Sequence, residues 1–308
     1  MKSTLLIFID GLQFDSAVRN LKVLNKAKTS KLTPGIGFSN NIYPEMLCGT
    51  NPDQIGYFNE WSPVKGKSAY LPWYLRILDI FRFSVYINAG IRKIILNKLF
   101  KKNFSNIPFK YVHFFSPQGS HNFRDLEGNN LLHKKNFIIF DAAESPLGLG
   151  KKDNFTFEKI DSFIQNRNYL ISLVDLDNIA HVYGTKSQNY KNHLNFLDLK
   201  INNLIKSFRL TNPDNQIFLF SDHGMVDVKS CIDFNIEKKF GPMDCDKYLY
   251  FIDSTYLRVW SRDTKFLSKI EDYLLEKDFG EIINEKERKE LVFPIKSLET
   301  LYLEQMRV

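Results

Sequence analysis

The chain contains three short apolar stretches, and each of them ends at an acidic residue. The first spans residues 4–9 and precedes Asp10, and the second spans residues 169–174 and precedes Asp175 and Asp177. The third spans residues 216–220 and lies two residues before Asp222. Apolar runs of this length without alternation are typical of strands covered on both faces, as in a parallel sheet flanked by helices. Residues 192–208 carry apolar side chains at helical spacing, which indicates a helix packed on such a sheet. We therefore predict an α/β fold, a three-layer sandwich with a mostly parallel sheet between helices.

A region between the first and second apolar stretches has a different character. Residues 63–154 are rich in aromatic and basic side chains, and the strand pattern of the sheet resumes only at residue 169. We read this region as a cap inserted at the carboxyl edge of the sheet. The length of 308 residues, 44% of them hydrophobic, suffices for a large core. We predict one α/β domain over residues 1–308, with residues 63–154 as an inserted cap subregion.

The acidic residues at the strand ends are candidate metal ligands. Ligand sites of open parallel sheets lie outside the carboxyl ends of the strands, so we expect Asp10, Asp177 and Asp222 to face one crevice. His223 follows Asp222 directly, and His181 lies four residues after Asp177, a spacing that puts this second pair on one side of a helical turn. Carboxylate and imidazole groups together suit zinc and similar divalent cations.

Each of these motifs also has a purely structural explanation. Asp-His-Gly is typical of a turn, an aspartate such as Asp177 is typical of a helix N-cap, and His181 fits a hydrogen-bonded histidine after a strand. The metal interpretation rests on the combination of the three strand ends.

The same residues resemble, in order and spacing, the alkaline phosphatase superfamily, and within it the type I phosphodiesterase and nucleotide pyrophosphatase group. The similar positions are Asp10, Asp177 with His181, and the segment Ser221-Asp222-His223-Gly224-Met225. Gly49, Pro52 and Gly56 match a further segment of that family, and Ser39 lies ten residues before Gly49, where the family has its Thr or Ser nucleophile. The resemblance covers about the first 260 residues apart from the insert.

This resemblance implies a metal-dependent phosphodiesterase or nucleotide pyrophosphatase-like hydrolase. Asp10, Ser39, Asp222 and His223 would hold a first Zn²⁺, and Asp177 with His181 would hold a second. Ser39 would attack phosphorus as the activated nucleophile, whereas its alternative role is to cap a following helix. Asn59 would bind a phosphate oxygen, and its alternative is an ordinary turn residue.

The chain departs from the family pattern at the second metal. Relatives supply a third ligand from a histidine near the C-terminus, whereas no histidine follows His223 here. We therefore expect one tightly held metal and one that is lost on dialysis, with activity restored by excess Zn²⁺ or Mn²⁺. Asp175 and Asp253 are candidate replacement ligands, and Asp175 is the better one because on a strand it would share the face of Asp177. The alternative functions are a phosphotransferase with a glycan or lipid acceptor and a catalytically impaired scaffold relative.

Composition constrains the partners and the location. The formal net charge of +7 and the pI near 9.0 fit an anionic substrate, and no nucleic-acid-binding motif is present. We expect a small-molecule or a lipid- or sugar-linked phosphodiester, and the oligomeric state stays open. Residues 71–102 mix aromatic side chains with cations, which fits either a cap helix packed on the core or peripheral contact with an anionic membrane. Three cysteines without ligand spacing and a start unlike a signal peptide predict a cytoplasmic protein, in contact at most with the inner membrane surface.

Overall fold

The computed structural model describes most of the chain in segments. These are residues 3–32, 46–49, 61–63, 111, 114–117, 130–161, 165–228, 232, 234–244, 246–253, 256–277, 280–283, 286–287 and 300–305. The chain divides into two compact units, one formed by Met1–Asn51 with Ser120–Ser230 and the other by Pro52–Gly119 with Cys231–Val308.

The elements follow in chain order. The strands are β1 (Ser3–Ile9), β2 (Trp61–Pro63), β3 (Phe115–Pro117), β4 (Ile138–Asp141), β5 (Tyr169–Leu173), β6 (Asn215–Phe220), β7 (Leu249–Asp253), β8 (Tyr256–Trp260), β9 (Gly280–Ile283) and β10 (Thr300–Gln305). The α-helices are α1 (Phe14–Asn20), α2 (Leu131–Lys134), α3 (Lys152–Asp161), α4 (Asp175–Tyr183), α5 (Gln188–Thr211), α6 (Glu237–Phe240) and α7 (Thr264–Leu275). Short 3₁₀ helices cover Lys22–Lys26 and Ala142–Glu144.

The first unit is built on a parallel sheet with the strand order β4-β5-β1-β6. β1 pairs in parallel with β5 on one side and with β6 on the other, and β5 pairs in parallel with β4. The three strands expected from the apolar stretches match β1, β5 and β6 to within one residue at either end. The predicted α/β architecture with a helix-flanked parallel sheet is therefore confirmed.

Both faces of the two central strands are buried. Alternate side chains of β1 point to opposite faces, so Leu5, Ile7 and Ile9 belong to the core cluster that includes α5, while Leu6 and Phe8 belong to a separate cluster. This double burial is the reason that β1 and β5 are continuously apolar.

The longest helix among the described residues, α5, covers one face of this sheet. Its N-cap is Ser187, whose side chain accepts a hydrogen bond from the backbone N–H of Tyr190, as expected for a helix start. Its buried stripe, which includes Leu194, Leu197 and Ile201, belongs to the same core cluster as β1 and β5. The helical spacing in residues 192–208 thus indicates core packing, as predicted.

Part of the predicted insert contributes to the sheet itself. β4 and α2 lie within residues 63–154, and β4 pairs in parallel with β5, with Asp141 opposite Ser172. The sequence predicts a strand over residues 137–140 but assigns it to the cap, because an apolar run does not show which strand it pairs with. Residues 71–102 lie outside the described part of the chain, so the cap as such stays a prediction.

The second unit contains an antiparallel sheet in the order β7-β8-β10-β9. Its core joins Phe251, Leu257 and Val259 from the sheet with Ile270 and Leu274 from α7. Within the described residues of the chain, no helix is both long enough and apolar enough to cross a membrane.

Candidate metal centre

The candidate site lies at the carboxyl ends of three neighbouring strands. Asp10 comes directly after β1, Asp222 comes two residues after the end of β6, and α4 begins two residues after the end of β5. Because β1 lies between β5 and β6, these ends share one edge of the sheet, as the sequence predicts.

Asp10, Asp222 and His223 form one cluster. The Nε2 atom of His223 lies 3.7 Å from Oδ1 of Asp10 and 3.4 Å from Oδ2 of Asp222. One ligand atom of each residue lies within 4.8 Å of the others. The Asp222 side chain is fully buried, whereas Asp10 and His223 are 19% and 26% exposed, so the cluster is open to solvent on one side.

Backbone groups hold one oxygen of Asp222 in place. Its Oδ1 accepts hydrogen bonds from the N–H of Gly11 at 3.3 Å and from the N–H of His223 at 2.9 Å. Ser221 ties the same loops together, because its hydroxyl accepts from the N–H of Leu12 and donates to the carbonyl of His223. Within the part of the chain that the structure describes, the buried Oδ2 of Asp222 has no hydrogen-bond partner. This oxygen has the position and the free lone pairs of a metal ligand.

The ring of His223 is oriented by a backbone carbonyl. Its Nδ1 lies 3.0 Å from the carbonyl oxygen of Gly224. A carbonyl can only accept, so Nδ1 carries the proton in the neutral ring and Nε2 is left as an acceptor that faces the two carboxylates. A histidine that ligates a metal commonly donates its other N–H to a carbonyl in this way.

The carboxylates concentrate negative charge at the site. Burial, followed by the proximity of Asp222, Asp177 and Asp153, raises the pKa of Asp10 from its ordinary value of 3.8 to about 9. Burial also raises the pKa of Asp222, although His223 and the backbone N–H of Gly11 act in the opposite direction. A bound cation would reverse this penalty, since it favours the ionised carboxylates.

Asp177 and His181 form a second pair on α4. Their side chains lie 3.4 Å apart, from Oδ2 of Asp177 to Nε2 of His181, which confirms that four-residue spacing on a helix brings them together. His181 is 66% exposed, whereas Asp177 is only 16% exposed. Among the described residues, the buried Oδ1 of Asp177 has no hydrogen-bond partner.

Glycine at position 11 allows the two pairs to approach each other. Gly11 has a φ of +69°, and a Cβ at this position would lie 2.9 Å from Oδ1 of Asp177. A side chain here would therefore be strained and would collide with Asp177. The Asp10-Gly11 turn thus brings the first cluster close to Asp177.

The premise that Asp175 shares a strand face with Asp177 is wrong, because α4 begins at Asp175. Residues two apart on a helix do not face each other. The carboxylate of Asp175 accepts hydrogen bonds from the N–H of Gly150 and the N–H of Asp153, both at 2.9 Å. This geometry directs Asp175 to the start of α3 and does not favour it as a ligand beside Asp177.

A second buried acidic cluster comprises Asp153, Asp175 and His193. Asp153 accepts a hydrogen bond from the N–H of Val174 at 2.8 Å and contacts Nε2 of His193 at 2.9 Å. Because each carboxylate oxygen already has a partner, the arrangement is that of a hydrogen-bonded network.

Two of the predicted site residues, Ser39 and Asn59, lie outside the described part of the chain, so their assigned roles stay predictions. The sequence analysis missed Asp153, His193 and Asp227, whose hydrogen bonds connect residues that are distant in the chain. Asp227 lies four residues after His223 and accepts from Thr185, 42 positions earlier, a separation for which the sequence offers no signal.

The residues that the structure brings together fit a divalent cation. The cluster offers carboxylate and imidazole donors, a buried carboxylate oxygen without a partner, and a histidine whose Nε2 is available. This donor set suits Zn²⁺ or Mn²⁺.

The chain is similar to known proteins in sequence and in fold. A family model described as "Type I phosphodiesterase / nucleotide pyrophosphatase" matches residues 132–290, more than half of the chain. Murine ectonucleotide pyrophosphatase/phosphodiesterase 5 is similar in structure, with a TM-score of 0.58 and 12% identity, over 99% of this chain and 79% of that chain. An inactive variant of the murine protein in complex with AMP has a TM-score of 0.59 and 11% identity, over the same shares. A search of curated protein sequences gives no match.

At such low sequence identities, the structural likeness shows the fold alone. The predicted alkaline phosphatase-like fold is confirmed by it.

Proposed function

Because the chain belongs to the type I phosphodiesterase/nucleotide pyrophosphatase family, we propose that it is a metal-dependent hydrolase of phosphodiesters or phosphoanhydrides with Ser39 as its nucleophile. Membership of this family indicates a phosphoric ester hydrolase that acts on small-molecule nucleotide or phosphodiester substrates. Metal dependence, the serine nucleophile and the kind of leaving group go beyond what family membership indicates.

The observation that carries the proposal is the convergence of Asp10, Asp222 and His223 at the carboxyl edge of the parallel sheet. Asp222 is held by two backbone N–H groups through one oxygen and keeps the other oxygen without a partner among the described residues. A purely structural turn would leave no reason for a buried carboxylate oxygen without a partner, since burying such a group costs free energy.

Each residue of the site has a defined task in this proposal. Asp10, Ser39, Asp222 and His223 would hold the first cation, and Asp177 with His181 would hold the second. When bound, such cations would act as Lewis acids that stabilise the attacking alkoxide and the negative charge on the non-bridging phosphoryl oxygens. Ser39 supplies the attacking oxygen, which the ten-residue spacing to Gly49 supports, and Asn59 binds a phosphate oxygen.

The expected substrate is a small anionic molecule. The net charge of +7 and the family both support a phosphodiester or nucleotide substrate. Transfer to a glycan or lipid acceptor is the neighbouring reaction, and it differs only in the group that accepts the phosphoryl moiety. A product attached to an added alcohol would identify transfer, whereas free acid would identify hydrolysis.

The proposal predicts different effects for a ligand and for the nucleophile. Ser39→Ala should abolish hydrolysis of bis-p-nitrophenyl phosphate and leave metal content largely intact, since the other ligands remain. Asp222→Asn should lose metal affinity by more than about 100-fold, beyond the usual effect of residues that only support a ligand. Metal analysis of the purified proteins and the initial rate of hydrolysis are the two measurements.

A matched control is Asp15→Asn, which makes the same chemical change at an exposed position on α1. It should retain both metal and rate. A Ser39→Ala protein with most of its rate would disprove the serine nucleophile, and a wild-type protein that binds no metal would favour the scaffold alternative.

A further inference from the structure

The chain segments that follow the two histidines of the candidate site are joined by one aspartate. Asp227 lies four residues after His223, and Thr185 lies four residues after His181. Oδ1 of Asp227 accepts a hydrogen bond from the backbone N–H of Thr185 at 2.7 Å and from its hydroxyl at 3.0 Å. The same carboxylate therefore binds two donors of a single residue on the other segment.

The segment that contains Thr185 is itself well defined. α4 ends at Tyr183, and its C-cap residue Gly184 has a φ of +81° and donates its N–H to the carbonyl of Ala180. The hydroxyl of Ser187 donates to the carbonyl of Gly184 at 2.9 Å, and Ser187 is the N-cap of α5. This turn therefore connects two helices of the first unit's core, and Asp227 is hydrogen-bonded to a residue between them.

Gly184 also makes room for Asp227. A Cβ on Gly184 would lie 3.1 Å from Oδ1 of Asp227, and the backbone there is in a conformation that side chains rarely adopt. The carboxylate of Asp227 therefore lies so close to the backbone of Gly184 that a side chain at this position would crowd it.

Apolar burial does not anchor the loop at this point. Val226 and Val228, on either side of Asp227, are 71% and 78% exposed. Met225 packs against the core nearer to His223. The bonds to Thr185 lower the pKa of Asp227, so the group is an ionised carboxylate and a strong acceptor at neutral pH.

We propose that Asp227 is a positioning residue that ties the segment after His181 to the segment after His223 and thereby sets the separation of the two metal positions. This inference rests on the proposed function, since it assigns a cation to each histidine. Catalysis of phosphoryl transfer by two metals needs a metal–metal separation of about 3.5–4 Å. A residue that fixes the distance between the two ligand segments therefore affects catalysis.

The experiment is a titration of metal-free full-length protein with Mn²⁺, followed by calorimetry and by electron paramagnetic resonance. The wild type should bind two Mn²⁺ ions whose spectrum shows the coupling of a close pair. Asp227→Ala should weaken the weaker site by about tenfold, as is typical when a supporting residue is lost. It should also reduce the coupled signal when both sites are filled.

Three further variants separate positioning from general stability. Asp227→Asn keeps an oxygen that accepts from Thr185 and should restore most of the coupling. Thr185→Val removes the hydroxyl bond and keeps the backbone bond, so it should give an intermediate effect even if Asp227→Ala folds poorly. Lys186→Ala removes the 3.9 Å ion pair of the exposed Lys186 with Asp227 and should match the wild type.

The outcomes distinguish this inference from the proposed function. A wild-type protein without two Mn²⁺ ions would refute the two-metal proposal and the inference with it. Two bound ions in the wild type with unchanged affinity and coupling in Asp227→Ala would refute the positioning role alone.

Discussion

Asp222 illustrates how a single side chain can be prepared for a metal. Its two oxygens have different environments: Oδ1 accepts from two backbone N–H groups, and Oδ2 is buried beside Nε2 of His223. The N–H groups fix the orientation of the carboxylate, so little conformational entropy is lost when a cation binds. The neighbouring Asp10 is largely buried and lies close to the carboxylates of Asp222 and Asp177, and both effects raise its pKa.

The raised pKa of Asp10 predicts a pH dependence of the metal-free protein. Burial and nearby carboxylates raise this pKa from 3.8 to about 9, so the folded chain holds a proton on Asp10 that the unfolded chain releases. The free energy of unfolding should therefore fall as the pH rises through this range, because the folded state binds more protons than the unfolded state. Asp10→Asn removes the effect.

Thermal unfolding of both metal-free proteins at about pH 5 and about pH 8 measures this pH dependence, because both values lie between the ordinary and the raised pKa of Asp10. The variant should gain stability relative to the wild type at the higher pH. Added Zn²⁺ should stabilise the wild type much more than Asp10→Asn. An equal difference between the two proteins at both pH values would contradict the assigned pKa.

At the scale of elements, α3 and α4 cap each other. Asp175 at the start of α4 accepts from the N–H groups of Gly150 and Asp153 at the start of α3. Asp153 in turn accepts from the N–H groups of Val174 and Asp175. The first N–H groups of a helix have no partner within that helix, so this exchange satisfies both starts and fixes the direction of α4, which carries Asp177 and His181. His193 extends the network to α5.

Removal of this network should destabilise the first unit. Asp153→Ala leaves buried donors on Val174 and His193 without an acceptor, and we expect a loss of about 3–5 kcal/mol in the free energy of unfolding. Asp153→Asn keeps an acceptor for Val174 and should lose less. Denaturant unfolding measures both values.

The exposed Asn203 on α5 offers a control, because Asn203→Ala should change stability by no more than about 0.5 kcal/mol. A loss below about 1 kcal/mol for Asp153→Ala would show that water replaces the carboxylate, and the network would then have no structural role.

At the scale of the whole molecule, the chain consists of two compact units with different sheets. The candidate residues that the structure describes all belong to the unit with the parallel sheet. Residues 71–102, with their mixture of cations and aromatic side chains, lie outside the described part of the chain. Cytoplasmic location and membrane contact both stay predictions.

Contact of residues 71–102 with an anionic membrane predicts salt-sensitive flotation. The protein should float with vesicles that contain anionic lipid at low salt, and it should float less at high salt because ions screen exposed charges. Replacement of Arg92, Lys93 and Lys98 by Gln should reduce flotation. The matched control replaces three exposed lysines of the first unit, Lys151, Lys186 and Lys191. Equal recovery in the soluble fraction with and without anionic lipid would rule out the contact.

The sequence by itself determined the central strands and the identity of the acidic strand ends. Both follow from local patterns: continuous apolar runs mark strands buried on both faces, and the residue after such a run lies at the carboxyl edge. The spacing of Asp177 and His181 likewise needs only the geometry of one helix. These features could be predicted because each depends on residues close together in the chain.

Tertiary structure alone decided which distant groups meet. Asp153 reaches His193 across 40 positions, Asp227 reaches Thr185 across 42, and Gly11 comes against Asp177 only because β1 lies beside β5. The tertiary structure also showed β4 at the end of the sheet, and it turned Asp175 away from Asp177. Hydrogen bonds between separate elements leave no periodic pattern in a sequence, so only the packed fold reveals which polar residues support the site and which could bind a metal.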